Sequence, residues 1–532
     1  MSEQIFFNAN VYTLDQQKER ATGVYTKNGQ ILEVGDGEQL KAKYAGFETD
    51  LIDVQGGMMI PGLVDSHMHL IAHGMKLRSV DFSSCTDALE MKRMLEEKIA
   101  MTAEGEWIIG RGWNENNFAD RKIFSKTELD EMTSRHPIFL TRICGHAFLV
   151  NSMALAAAGL DQHSPDPVGG KLERDAAGHL TGLLLENAGP MIQQHIPAEM
   201  YEELKASLEA AISDCWRTGL VGCHSEDVRY SGGFLQTVKL YDEVLHQDQQ
   251  LFRVNQLVYF EHIDEMLQAG KKYGDGTAFF DIGAMKIFAD GAMGGRSALL
   301  SQPYSDDPSK HGVAIHTQQE LEQLVQKART AHLPIAVHTI GDKALDMTLQ
   351  AIEKHPVLSG QLDRIIHAQV LNPQLIERMQ RLALIVDIQP RFVVGDFPWV
   401  MERLGEERLP WSYAWKTLLE SGLICAGGSD APIEPIDPLL GLHAAVTRTK
   451  PEESFHEGYI PEQKLTPLEA LHLFTTGSAK AEQKLHLKGT ITPGKLADFT
   501  ILDQDLFTLP STQWLKTKVI KTVVHGKVVY EA

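Results

Sequence analysis

The sequence predicts an α/β protein: a (β/α)8 TIM barrel with a small β-sandwich domain formed from both chain ends and a large insertion after the first barrel strand. Three observations point this way. Eight short apolar runs alternate with amphipathic helical patterns through the middle of the chain, while both ends carry β-branched runs broken by turn residues. Polar residues close several of the apolar runs, at the address where this architecture builds its sites.

At 532 residues the chain exceeds what one core holds, so a large domain and a smaller one are expected. Residues 5–13, 22–34 and 50–60 read as strands and hairpins, broken by Asn, Gly and Asp. The pattern returns after Asp498 and again from Val519 to Tyr530. Neither end has enough apolar surface to stand alone, so 1–57 and 488–532 are expected to form one sandwich. Residues 58–487 then hold the barrel, with candidate strands Met58–Val64, Gly219–His224, Phe252–Phe260, Ile282–Ala289, Pro334–His338, Arg364–His367, Ala383–Ile388 and Leu423–Gly427. Helical patterns such as Tyr201–Arg217, Gln318–Ala331, Asp342–Lys354 and Pro373–Leu382 separate them. About 150 residues lie between the first two strands, far beyond an ordinary βα connection. The stretch from about 71 to 200 is therefore expected to fold as an insertion over the barrel mouth, lidding the site and shaping specificity.

Composition narrows the function. The formal charge of −21 disfavours nucleic acid and anionic membrane surfaces as partners. The N-terminus has no basic start or apolar core of a secretory signal, and no run of about 18 apolar residues spans a bilayer. Five scattered cysteines without a Cys-x-x-Cys pair fit a reducing cytoplasm and exclude a thiolate zinc site. Any metal must be held by histidine and carboxylate.

His67 and His69 supply such groups. On a strand, residues two apart project from the same face, so both imidazoles face one point. Alone, the pair is a weak signal. Its context is stronger: His338 closes the run from Pro334, His367 closes the run from Arg364, and Asp430 follows the run from Leu423. A single histidine ending a strand is ordinarily a packed rim residue. Four histidines and an aspartate ending different strands in barrel order are hard to explain that way.

In these segments the chain resembles the amidohydrolase superfamily, in its YtcJ-like branch that includes N-substituted formamide deformylases. The matching segments are Pro61–His69, Met285–Gly291, Val337–Asp342, Ile366–Gln369 and Gly428–Pro432, with Gly145–Ser152 and Thr181–Asn187 in the insertion and Pro493–Phe499 near the end. The resemblance implies that His67 and His69 hold the more buried metal, that His338 and His367 hold a second, and that Asp430 contacts metal and water. It places Lys286 where such proteins often carry a lysine carboxylated by CO2. A carbamate can bridge two cations, whereas an ammonium cannot ligate one. The plain alternative for Lys286 is an ion pair with a carboxylate such as Asp290. An unmodified lysine would favour a single-metal site.

Imidazole and carboxylate ligands suit Zn2+ or another divalent transition metal, with one or two ions per chain. The expected activity is hydrolysis of a carbonyl-type C–N bond, an amide other than a peptide bond, in a small molecule. A metal lowers the pKa of its water towards about 7, giving hydroxide to attack the carbonyl. Asp430 and His367 are the catalytic candidates, with Asp430 as general base and a neighbouring imidazole or the metal polarising the carbonyl. Ester or carbamate hydrolysis and deamination suit the same site, with Glu226 a candidate acid for the last. A non-enzymatic binding or regulatory scaffold is the alternative of another class. Candidates for substrate contact are Trp113, Arg142, His146, His224 and Arg296. The arginines could hold a carboxylate, although structural ion pairs are the plainer expectation. A homodimer is the default assembly.

Overall fold

The computed structural model describes all residues except 1–2, 47, 83–84, 116–117, 120, 143–146, 168, 197–200, 452 and 454–456. The chain divides into two compact units, Met1–His73 with Ala211–Ala532, and Gly74–Ala210.

The first unit contains the TIM barrel. Its eight parallel strands run Leu63–Met68, Leu220–Ser225, Arg253–Tyr259, Phe280–Phe288, Ile335–Thr339, Asp363–His367, Leu384–Ile388 and Cys425–Gly427, each beside its neighbour in the chain. The ends of the sheet meet through the first and eighth strands. The backbone N–H of Asp430 donates to the His67 carbonyl at 2.7 Å, and that of His69 donates to the Ala431 carbonyl at 2.8 Å. The Ser429 N–H donates to the Asp65 carboxylate at 3.0 Å. A layer of Leu257, Ala284, Ala336 and Ile366 packs across four consecutive strands. Two residues beyond Ala284 and Ala336, on the same face, stand Lys286 and His338. The apolar layer thus sits directly beneath the polar groups.

One expected boundary is corrected. The run Met58–Val64 is not a single barrel strand. Met58–Pro61 pairs with Phe499–Leu502 and Asn10–Tyr12 in a sheet outside the barrel, and the first barrel strand begins at Leu63. Gly62 separates them, in a place where a Cβ would come within 2.5 Å of the Val221 side chain. The residues on both sides of it are buried, so the hydrophobic run continues through the break and hides it.

The two chain ends form a pair of sheets. One has the order Gln30–Gly35, Gly23–Lys27, Glu3–Phe7, Thr49–Asp53. The other runs Lys527–Glu531, Val519–Val524, Phe499–Leu502, Met58–Pro61, Asn10–Tyr12, Arg20–Ala21, combining strands from both ends. Phe6, Val24, Ile31, Met59, Phe499 and Val523 share their core, with the Phe6 and Phe499 rings 5.3 Å apart. Asn28-Gly29 and His525-Gly526 turn the hairpins with both residues at positive φ, the two-residue turn that matches strand twist. Thr500 ties this pair to the starts of two barrel strands: its hydroxyl donates to the Gly219 carbonyl at 2.7 Å and accepts from the Leu63 N–H at 3.1 Å. The sheets therefore attach at the strand N-termini and leave the C-terminal ends to the site.

The second unit carries a six-stranded sheet in the order Gly170–Arg174, Leu180–Glu186, Ala147–Val150, Ile138–Arg142, Ile108–Trp113, Val80–Asp81. It buries both faces: Ile138, Leu140 and Leu149 join one apolar cluster, while Phe139, Phe148 and Val150 join another. Ala88–Met101 packs on the first, started by an Asp87 cap on the Glu90 N–H. Among the described residues no helix is long and apolar enough to cross a membrane.

Candidate metal centre

Strand ends bring the six predicted ligands together. His67 and His69 project from the first strand and its end, Lys286 from the fourth, His338 from the fifth, His367 from the last position of the sixth, and Asp430 follows the eighth. Nitrogens of His67 and His69 and an oxygen of Asp430 all lie within 4.8 Å of one another. Asp430 Oδ1 stands 3.4 Å from His67 Nε2 and 3.5 Å from His69 Nε2. Lys286 Nζ is 3.0 Å from His67 Nε2, and His338 Nδ1 is 3.0 Å from His367 Nε2. The backbone is bent to this purpose: His367 has φ 78° and Asp430 φ 58°, left-handed values that non-glycine residues hold only when surroundings enforce them.

The partners of each ring fix where its lone pair points. Nδ1 of His69 donates to the Glu226 carbonyl at 2.8 Å, leaving Nε2 as the free base. Nε2 of His338 donates to the Gly291 carbonyl at 3.0 Å, leaving Nδ1. Nδ1 of His367 donates to Gln389 Oε1 at 2.6 Å, leaving Nε2. The free nitrogens of His338 and His367 therefore face each other at 3.0 Å with no proton between them, and Nδ1 of buried His67 has no partner among the described residues. Two opposed lone pairs repel, and a cation shared between them removes the repulsion. The residues present fit a bound divalent metal.

Electrostatics act in the same sense at three of the four rings. Burial pushes His67 and His338 well below the usual imidazole range and brings His367 down to about 4 against the pull of Asp430, so these rings are neutral, the form that ligates. Burial also acts downward on His69, but Asp430 and Glu226 outweigh it and hold its pKa above the ordinary value. Burial acts upward on Asp430 and is outweighed by its bond to His69 and the nearby His367 and Lys286, so the carboxylate stays charged. Lys286, fully buried, is lowered to about 7 by desolvation, against the attraction of Asp430 and Glu226. Its Nζ makes no ion pair among the described residues. Asp290, the alternative partner, instead accepts backbone N–H groups from Ile340, Gly341 and Leu299 at 2.8–3.0 Å and stands 3.6 Å from His338 Nε2.

The expected substrate contacts fare differently. Arg296 forks onto Asp306, with Nε at 3.2 Å and Nη2 at 2.5 Å, the structural pairing. His224 lies buried with Nε2 3.0 Å from Glu482, which is also paired with Lys488. In the second unit Trp113 is a core residue, and Arg142 beside it grips Glu115 through Nε and Nη2. His146 lies outside the described residues. Glu226 is fully buried and accepts Arg229 Nε at 2.8 Å, so it is an ion-paired support rather than a free acid on the rim.

Several contributors escaped the sequence reading. Asp65 accepts the N–H groups of His67 and Ser429, joining the first and eighth strands beneath the centre; burial raises its carboxyl to about 7. Its position two residues before His67 was a usable signal. Gln389 follows the seventh strand, also a usable address, whereas Phe392, stacked on His367 at 5.5 Å, lies beyond any strand end.

Comparison with known proteins agrees with this geometry. A model described as the amidohydrolase family matches residues 50–530. The chain is 44% identical to a putative amidohydrolase, YtcJ, of Bacillus subtilis over 99% of both chains. It is 26% identical to an N-substituted formamide deformylase of Arthrobacter pascens, over 100% of this chain and 99% of that one. Among solved structures, an uncharacterized metal-dependent hydrolase from Pyrococcus horikoshii superposes with a TM-score of 0.80 at 28% identity, over 96% of this chain and 99% of that one. With barrel, ligand constellation and whole-length likeness in agreement, this chain belongs to the amidohydrolase family, in its YtcJ-like branch.

Proposed function

We propose that this protein hydrolyses a carbonyl-type C–N bond, an amide other than a peptide bond, in a small molecule. The observation that carries the reading is the convergence of imidazole nitrogens with Asp430 and the buried Lys286 at one end of the barrel. The formamide deformylase likeness favours N-acyl or N-formyl amines. A divalent metal held by His67, His69, His338, His367 and Asp430, Zn2+ by ligand type, would acidify water and polarise the carbonyl when bound.

The protein groups divide the remaining work. Asp430, held charged, takes a proton from water as the oxygen bonds the carbonyl carbon. It returns that proton to the nitrogen as the C–N bond breaks, so the amine leaves neutral. Such proton transfer contributes on the order of 10²–10⁴ in rate. His367, neutral and locked by Gln389, presents Nε2 towards the centre and keeps its geometry through the reaction. Lys286 is positioned to be modified: a neutral amine adds to CO2, forming an N–C bond and releasing a proton, and the carbamate gains two ligand oxygens. The four described cysteines are unpaired and buried, which suits a reducing cytoplasm.

The test is a substrate panel of N-formyl and N-acetyl amines, matched esters and carbamates, and ring amines, read by amine, acid or ammonia release. Amide turnover that exceeds the matched ester supports the proposal. Ester or carbamate turnover alone moves the assignment to those bonds, and ammonia release alone to deamination. No turnover of any of them, with metal present, leaves a binding scaffold.

A further inference from the structure

We infer that Arg229 receives a carboxylate of the substrate, so that the compound hydrolysed is an N-acyl amine carrying an acid group. The inference rests on the hydrolase reading above and adds its substrate class.

Arg229 lies four residues beyond the second barrel strand. Its Nε donates to buried Glu226 at 2.8 Å, which orients the guanidinium and accounts for one of its five N–H donors. The four donors on Nη1 and Nη2 have no acceptor among the described residues, and the side chain is 33% exposed. Three rings flank the group, Phe288 at 4.5 Å, Tyr259 at 4.9 Å and Tyr230 at 5.6 Å. Two of them also touch the metal centre: Phe288 lies 5.1 Å from the His338 ring and 4.8 Å from Lys286 Nζ, and Tyr230 lies 5.4 Å from the His69 ring. The guanidinium is therefore one ring away from His338, Lys286 and His69 of the metal centre.

A purely structural arginine would spend its fork on a protein carboxylate, as Arg296 does on Asp306. Arg229 spends one nitrogen and is held by the aromatic faces with the remainder free. The fork matches a planar carboxylate in two parallel hydrogen bonds. Because Glu226 already balances the charge of the guanidinium, what the fork offers is its unspent hydrogen-bond donors rather than net charge. An N-acyl amine with its acid a few bonds from the amide places both groups at once.

The test compares N-formylglycine with neutral N-formylglycinamide. Formate release is measured for the metal-loaded wild type, Arg229→Gln and Arg229→Lys, and binding of both compounds is measured calorimetrically on Asp430→Asn with and without Arg229→Gln. A hydrogen-bonded charge is worth roughly 10- to 100-fold here, since water competes at a partly exposed fork. The wild type should prefer the acid by that factor in kcat/KM. Arg229→Gln should bring the ratio near one, and Arg229→Lys should retain part of it. In the Asp430→Asn background the same preference should appear in Kd and vanish with Arg229→Gln. Equal kcat/KM for the two compounds in the wild type overturns the inference while leaving the hydrolase intact. So does a loss in Arg229→Gln that falls equally on both, the mark of a structural tie to Glu226. Carboxylate-selective binding that depends on Arg229, without turnover of either compound, upholds the carboxylate site and leaves the hydrolase reading to the full substrate panel.

Discussion

Replacing Gln389 with leucine removes the acceptor that fixes the tautomer of His367. Gln389 Oε1 and His367 Nδ1 are 2.6 Å apart and both residues are 2% exposed, so bulk water has little access to replace the lost acceptor. A buried N–H left without a partner costs about 1–3 kcal/mol. His367 avoids that cost by moving its proton to Nε2, where Nδ1 of His338 waits at 3.0 Å. The new hydrogen bond preserves the fold but withdraws a lone pair from the centre. A metal must then reverse the shift, so the same free energy appears as weaker binding, roughly 10- to 100-fold in Kd. The assay is competition for Zn2+ against a chromophoric chelator, with urea denaturation of the metal-free protein beside it. Gln389→Leu should lose affinity at nearly unchanged metal-free stability, while Gln389→Glu, which keeps an acceptor, should retain it. Unchanged zinc affinity in Gln389→Leu, or an equal loss in Gln389→Glu, would refute the tautomer argument.

Three further outcomes are expected. Protein incubated with 13C-bicarbonate should show a carbamate carbon by NMR that disappears in Lys286→Arg; no such signal in the metal-loaded wild type means an unmodified lysine. Arg364, buried, donates to Asp387 at 2.8 Å and to the Ser66 carbonyl at 2.6 Å, so Arg364→Met should cost about 3–5 kcal/mol in urea denaturation, much of it recovered by adding Asp387→Leu. If the double variant is no more stable than the single one, the loss does not come from a stranded charge. Asp396 is raised to about 6 by burial, opposed by hydrogen bonds from Tyr413 and Gln369. The fold favours its protonated form, so its contribution to stability is complete below the unfolded value near 3.8 and is lost as pH rises through about 6. Asp396→Asn should therefore gain on the wild type between pH 4 and 7, by on the order of 1 kcal/mol after allowing for partial exposure; a flat difference in Tm over that range contradicts it.

The barrel was legible because its strands are buried on both faces and read as continuous apolar runs. The same continuity concealed the break at Gly62, where a buried strand of the end sheets runs straight into a buried barrel strand. Candidate site residues were legible where they sit at strand ends, as with His338, His367 and Asp430. Chemistry was hidden in segments beyond the strands: Arg229 and Phe392 carry no periodic mark, and what they touch on other strands is a set of rings. The arginines that drew attention in the sequence, Arg142 and Arg296, proved to be paired, because a charge count cannot tell a spent fork from an open one.

Metal content by plasma mass spectrometry, read with hydrolysis of an N-formyl amine before and after chelation, tests the central claim most directly. One or two transition-metal ions per chain are expected, with activity lost on chelation and restored by Zn2+ or Mn2+. Asp430→Asn should lose on the order of 10²–10⁴ in rate. A folded, metal-free protein that neither binds nor is activated by added Zn2+ or Mn2+ would contradict it.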